Sequence, residues 1–346
     1  MKGKLILQDG SEFLGNSFGY KKNNSGEVVF STGMVGYPEA LTDPSYQGQI
    51  LILTYPIIGN YGVPEKKYWE SDGIKVSGLI VSNYIDTPSH SQSKKTLRQW
   101  LSDENIPALE IADTRFLTQK IRTKGTMLGK IVFNNDDFKF YNPNKENLVA
   151  KVSTKKIIEE GTHGKKILLI DCGAKANIAR SLLKRNVRIV TVPWDFDPFE
   201  NKVKFDALII SNGPGDPKMA DKTIATIQKA LGKNIPILGV CLGNQILALA
   251  AGGDTHKLKF GHRSQNQPCI LQDGNKTRCF ITTQNHGFAV NKIPSGFKTW
   301  FINANDGSNE GIIHNKLPFM SVQFHPEANP GPTDTEWIFD YFLKRI

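Results

Sequence analysis

Apolar positions along the chain fall into two regimes. Over residues 1–135, short strand-like runs recur at 27–30, 49–55, 76–81 and 127–133. Runs at 5–7 and 13–18 flank Asp9-Gly10, a hairpin-type turn. Leu97, Trp100 and Leu101 have helical spacing, as do Leu117 and Ile121 before Gly125. This half reads as a smaller, strand-rich mixed α/β domain. Residues 136–163, with Asn142-Pro143-Asn144 and a charged run to Glu160, show no convincing core face, and a linker is expected there. Over 164–346 the period alternates. Strands are expected at 167–171, 188–192, 207–211 and 235–240, and helices at 177–184, 223–231 and 242–251. That alternation predicts an α/β domain with an open, mostly parallel sheet flanked by helices. Runs at 269–272 and 279–283 look like antiparallel additions, and Trp337, Phe339 and Phe342 suggest a closing helix.

Composition narrows the function classes. The 346 residues are 39% hydrophobic and 22% charged, enough for two ordinary domains with their own cores. No run approaches the roughly 20 apolar residues of a membrane span, and the N-terminus lacks a signal-peptide core, so a cytoplasmic protein is expected. Four sparse cysteines without a C-x-x-C pair imply reduced thiols, and no Cys/His spacing suggests a metal site. The net charge of +10 comes from scattered lysines, with no basic stripe interleaved with aromatics. Neither nucleic-acid nor membrane binding is expected. No Walker spacing is present, so no ATP site, and no cofactor, is expected on this chain.

Three motifs carry the chemistry. In Gly239-Val240-Cys241-Leu242-Gly243, an apolar strand runs into a helix through a glycine-flanked cysteine. This is the form of a nucleophile elbow with cysteine in place of serine. A sulfur at a helix N-terminus meets free N–H groups and a dipole that favour an anion. Taken alone, the motif leaves a small buried hydrophobe as open as a nucleophile. Cys172, Cys269 and Cys279 lack the elbow glycines and read as structural. Ser211-Asn212-Gly213-Pro214-Gly215 follows a strand, where open α/β sheets bind ligands, and its glycines can turn backbone N–H groups toward a substrate oxygen. His325-Pro326-Glu327 offers a base for the thiol and a carboxylate to orient it. None of the other six histidines has a carboxylate two residues on.

In this order, these motifs resemble the class I (triad) glutamine amidotransferases. Thr42-Asp43-Pro44-Ser45-Tyr46, Thr54-Tyr55-Pro56, Gly59-Asn60-Tyr61-Gly62, Asp113-Thr114-Arg115 and residues 285–290 narrow the resemblance to the small subunits of carbamoyl phosphate synthetases. The resemblance implies that Cys241 attacks the glutamine carboxamide, that His325 is acid and base, and that Glu327 holds its ring. It further implies an oxyanion hole from the Leu242 and Gly215 N–H groups. Glutamine is expected on Ser45, Gly213, Gly215, Leu242, Gln245, Asn285, Gly287 and Phe288, with Ser45 bringing in the N-terminal domain. A separate large subunit, binding ATP and magnesium, is expected to take the ammonia for carbamoyl phosphate in arginine and pyrimidine synthesis, in a heterodimer or higher assembly. No segment of these 346 residues is expected to supply that chemistry. One departure is Asn244, where the family commonly has histidine; it is expected on the helix, away from the reacting groups. Two other readings stay open: a stand-alone cysteine amidase or γ-glutamyl hydrolase, and a non-catalytic binding subunit.

Overall fold

The computed structural model describes residues 2–134, 138–273 and 276–346, in two compact units, Met1–Glu146 and Asn147–Ile346. In the first unit, β1 (Lys2–Leu7), β2 (Glu12–Ser17), β3 (Asn24–Ser31), β4 (Gln49–Leu53), β5 (Gly78–Val81), β6 (Ala108–Glu110) and β7 (Met127–Val132) close into a barrel of order β1-β2-β6-β5-β4-β3-β7. Closure comes from β7, which pairs antiparallel with both β1 and β3. Helices α1 (Tyr37–Thr42), α2 (Leu97–Asp103) and α3 (Thr114–Lys124) belong to this unit. Thr96 caps α2 and Asp113 caps α3, each accepting a first-turn N–H. Leu97, Trp100 and Leu101 pack with Val29, Leu51, Leu79 and Val81 from alternate strand positions. The sequence alone gave no sign that this sheet closes.

The division between units falls inside the expected linker, and that stretch is not bare chain. It holds a single turn at Pro143–Lys145, then α4 (Val149–Val152) and β8 (Ile158–Glu160). The turn and α4 bury only Pro143, Leu148 and Val149, and β8 is exposed along its length, so no periodic core face marks the stretch.

The second unit is built on one sheet of order β14-β13-β15-β16-β17-β12-β11-β9-β10-β8. Its parallel centre is β9 (Lys166–Asp171), β10 (Arg188–Pro193), β11 (Ala207–Ile210), β12 (Ile237–Val240) and β17 (Phe319–Val322). Alternate residues of each strand go to opposite faces. Ile167, Leu169, Ile209 and Leu238 pack with Ile178 and Leu182 of α5 (Ala176–Leu183) and with Ile338, Phe339 and Phe342 of α8 (Trp337–Leu343). Leu168, Ile170, Leu208 and Ile237 pack with Ile227 of α6 (Asp221–Gly232) and with Ile246 and Leu247 of α7 (Leu242–Ala250). The antiparallel part is larger than the sequence suggested. Two long strands, β13 (Asp254–Asp273) and β14 (Lys276–Lys292), form a ladder continued by β15 (Phe297–Asn303) and β16 (Asn309–His314). Among the described residues, no helix is long and apolar enough to cross a membrane.

Candidate active site

A single residue, Cys241, separates β12 from α7. Its backbone has φ 56° and ψ −102°, a region that side chains rarely occupy. The glycines on either side make the turn possible. A Cβ at Gly239 would lie 2.4 Å from the Gly243 carbonyl oxygen, and one at Gly243 would lie 2.3 Å from that of Ile210. The turn leaves Cys241, 1% exposed, at the N-terminus of α7, whose first N–H groups have no intrahelical acceptor. The thiol faces the Asn285 carbonyl oxygen at 3.7 Å.

The parallel register brings the base to the same edge. Val240 pairs with Val322, and the Cys241 N–H donates to the Val322 oxygen at 2.8 Å. Strands β12 and β17 therefore end side by side, and the chain leaving β17 carries His325. Its N–H is fixed by the Thr283 carbonyl at 2.9 Å. His325 Nδ1 lies 2.7 Å from Glu327 Oε1. Lys175, on the turn before α5, sits 3.3 Å from the same oxygen and also donates to the Ala328 carbonyl. All three side chains are almost fully buried. His325 Nε2 is buried without a hydrogen bond of good geometry.

Electrostatics sets the proton inventory. Burial disfavours an imidazolium, but the Glu327 carboxylate and the adjacent Cys241 raise the His325 pKa well above its ordinary value. Burial likewise disfavours ionised Glu327, yet Lys175 and His325 hold its carboxyl well below the usual range. His325 thus lies beside the sulfur, anchored by a carboxylate that is itself anchored by a lysine. Such a set can stabilise negative charge on sulfur and protonate a leaving amine. The other cysteines differ. Burial pushes the Cys172 and Cys269 thiols up, and Cys279 lies exposed on β14.

The remaining sequence-predicted residues of the second unit lie on the turn after β11, on α7 and on β14. A Cβ at Gly213 would lie 2.1 Å from the Cys172 carbonyl oxygen, so only glycine fits this close approach. Gly215 has φ +84°, the left-handed region a glycine tolerates without strain. Leu242 is the first residue of α7, and Asn285, Gly287 and Phe288 lie on β14. Gln245 donates to the Phe288 carbonyl at 2.8 Å and to Gln323 Oε1 at 3.1 Å. Ser45 belongs to the first unit, buried on the turn Pro44–Tyr46, with its N–H donating to Asp43 Oδ1 at 2.9 Å.

Asn244 does lie on the helix, fully buried. It accepts from Ser321 Oγ at 2.8 Å and donates to Gln323 Oε1 at 3.1 Å. Gln323 Nε2 in turn points at Cys241 Sγ from 3.8 Å, so Asn244 is one side chain removed from the nucleophile. Sequence reasoning missed Gln323 and Lys175. Gln323 stands two residues before His325, and that proximity was the one available signal; nothing in sequence tied Lys175 to Glu327.

Comparison with known proteins agrees with this geometry. Residues 168–345 match the family model of glutamine amidotransferase class-I, and residues 5–131 match that of the carbamoyl-phosphate synthase small chain, CPSase domain. The chain is 48% identical over 377 aligned residues to the multifunctional protein pyr1-3 of Dictyostelium discoideum, covering 100% of this chain and 17% of that protein. It is 51% identical over 356 residues to the multifunctional protein CAD of Squalus acanthias, covering 98% and 16% respectively. Identity to the mitochondrial carbamoyl-phosphate synthase [ammonia] of Mus musculus is 48% over 356 residues, covering 99% and 23%. The chain thus spans less than a quarter of the length of these curated relatives. With its elbow cysteine, histidine and glutamate inside the matched region, the chain belongs to the class-I glutamine amidotransferase family and carries a carbamoyl-phosphate synthase small-chain domain ahead of it.

Proposed function

We propose that the chain hydrolyses glutamine and supplies the ammonia for carbamoyl phosphate synthesis. The observation that carries this reading is Cys241, held at a strained elbow beside a buried His325–Glu327–Lys175 series. The Cys241 sulfur attacks the carboxamide carbon of glutamine. The Leu242 and Gly215 N–H groups take the negative charge on its oxygen, a contribution worth about 10²–10³ in rate in other enzymes. His325 gives its proton to the departing ammonia, and then takes one from the water that hydrolyses the γ-glutamyl thioester. Glu327 fixes the ring throughout.

The partner is an ATP- and magnesium-dependent synthetase activity, with no cofactor on this chain. Relatives several times longer make a following part of one polypeptide as natural a source of that activity as a separate large subunit. One relative's name specifies ammonia, which keeps a second reading in view: a small-chain region that no longer hydrolyses glutamine. Retention of Cys241, His325 and Glu327 together favours hydrolysis. The test is Cys241→Ala in the assembled enzyme. Carbamoyl phosphate formation from glutamine is expected to disappear while formation from ammonia persists. Undiminished use of glutamine refutes the assignment.

A further inference from the structure

A buried polar cluster backs onto residues 285–288. His262 on β13 and His286 on β14 are register partners, with rings edge-on at 4.9 Å. His262 Nδ1 lies 3.2 Å from Glu310 Oε1, and its Nε2 lies 2.9 Å from Asp306 Oδ2. Glu310, on β16, is fully buried, and the same oxygen accepts from Asn303 Nδ2 at 3.2 Å. A carboxyl group thus stands at each ring nitrogen of His262. Burial opposes charge on the ring, but Glu310 and Asp306 outweigh it and raise the His262 pKa, while complete burial pushes the Glu310 carboxyl up.

His286 Nδ1 lies 2.8 Å from the Phe288 carbonyl oxygen, which can only accept, so Nδ1 carries a proton; its Nε2 lies 3.1 Å from Gln284 Oε1. Complete burial, then the neighbouring charges of His262 and Arg263, hold its pKa well below the ordinary value. The Phe288 carbonyl is also the acceptor for Gln245 on α7. One carbonyl thus ties β14 to the elbow helix, and the neighbouring Asn285 carbonyl faces the sulfur.

We propose that Glu310 and His262 are positioning residues for glutamine hydrolysis: their hydrogen-bonded pair holds His286 so that its Nδ1–H pins the Phe288 carbonyl, and with it residues 285–288, to the elbow helix. This rests on the glutaminase reading above. The site takes the carboxamide amino acid on that stretch of β14, and the pair sets how well the stretch is ordered before substrate arrives.

The experiment is steady-state glutaminase kinetics on the intact protein. Glu310→Gln is expected to raise the KM for glutamine about tenfold with kcat within about threefold, since the order of residues 285–288 is lost while the nucleophile and base stay in place. Asp306→Asn, at the half-exposed end of the pair, is expected to give a smaller rise in the same direction, and it serves if Glu310→Gln does not fold. In a His286→Asn background, Glu310→Gln is expected to add less than about twofold, because its effect passes through His286. An unchanged KM in both single variants, or full additivity in that background, overturns the proposal. Stoichiometric zinc in the purified protein would overturn it too, because a cation rather than a proton would then link His262 to Glu310. A wild-type protein inert toward glutamine is a different failure: it sinks the glutaminase reading and this proposal with it.

Discussion

Gly243→Ala isolates the steric requirement of the elbow. On a solvated helix, alanine is better than glycine by about 1 kcal/mol, so propensity alone predicts stabilisation of α7. In this fold the new Cβ would lie 2.3 Å from the Ile210 oxygen and 2.9 Å from both its carbonyl carbon and its Cβ. Restoring van der Waals separation requires the start of α7 to retreat from β11 by roughly 1 Å. Overpacking of this kind costs about 1–3 kcal/mol, which exceeds the propensity gain. The retreat also carries Cys241 and the Leu242 N–H away from the Gly213–Gly215 turn, and a misplacement of about 1 Å costs on the order of 10² in rate. The control is Gly232→Ala at the end of α6, where a Cβ meets nothing within 4 Å. Urea denaturation and glutaminase kcat are measured for both. Gly243→Ala is expected to lose stability and about two orders of magnitude in kcat, while Gly232→Ala stays close to wild type. A Gly243→Ala protein with wild-type stability and rate, or equal damage from Gly232→Ala, refutes the steric account.

Two further outcomes follow from the buried charges. The Glu327 carboxyl is depressed in the folded state, so its contribution to stability is present above the unfolded value of about 4.5 and is lost as pH falls through the folded one. The stability gap between wild type and Glu327→Gln is therefore expected to be widest near neutral pH and to narrow below about pH 4.5 in denaturant titrations; a gap independent of pH contradicts the ionised assignment. Lys175→Met removes the cation 3.3 Å from that carboxylate, and breaking a buried pair costs about 3–5 kcal/mol. Wild-type stability in this variant would show that Lys175 does not balance Glu327.

The parallel centre and the turn at Cys241 were legible because local pattern specifies them. Apolar runs of four to six residues alternate with amphipathic helices, and the glycines around Cys241 mark a close approach that sequence alone can show. The long β13–β14 ladder was only partly visible, at 269–272 and 279–283. Register shifts at Asp254/Thr255, Lys257/His262 and Ser264/Gln267 interrupt the two-residue period by which a strand is read. The barrel's closure through β7 joins residues about a hundred or more positions apart, and no local signal encodes it. The same limit hid Lys175, Glu310 and the His262–His286 pairing, whose meaning lies in partners from other strands and turns. Asn244 was correctly placed on the helix, but its link to sulfur through Gln323 appears only once β12 and β17 are side by side.

The central claim is that Cys241 becomes acylated by glutamine. Rapid acid quench during turnover, followed by proteolysis and mass spectrometry, measures it directly. The predicted result is a γ-glutamyl thioester on the peptide containing Cys241, absent from Cys241→Ala. Turnover with no adduct there, or an adduct on Cys172, Cys269 or Cys279 in its place, would contradict the account.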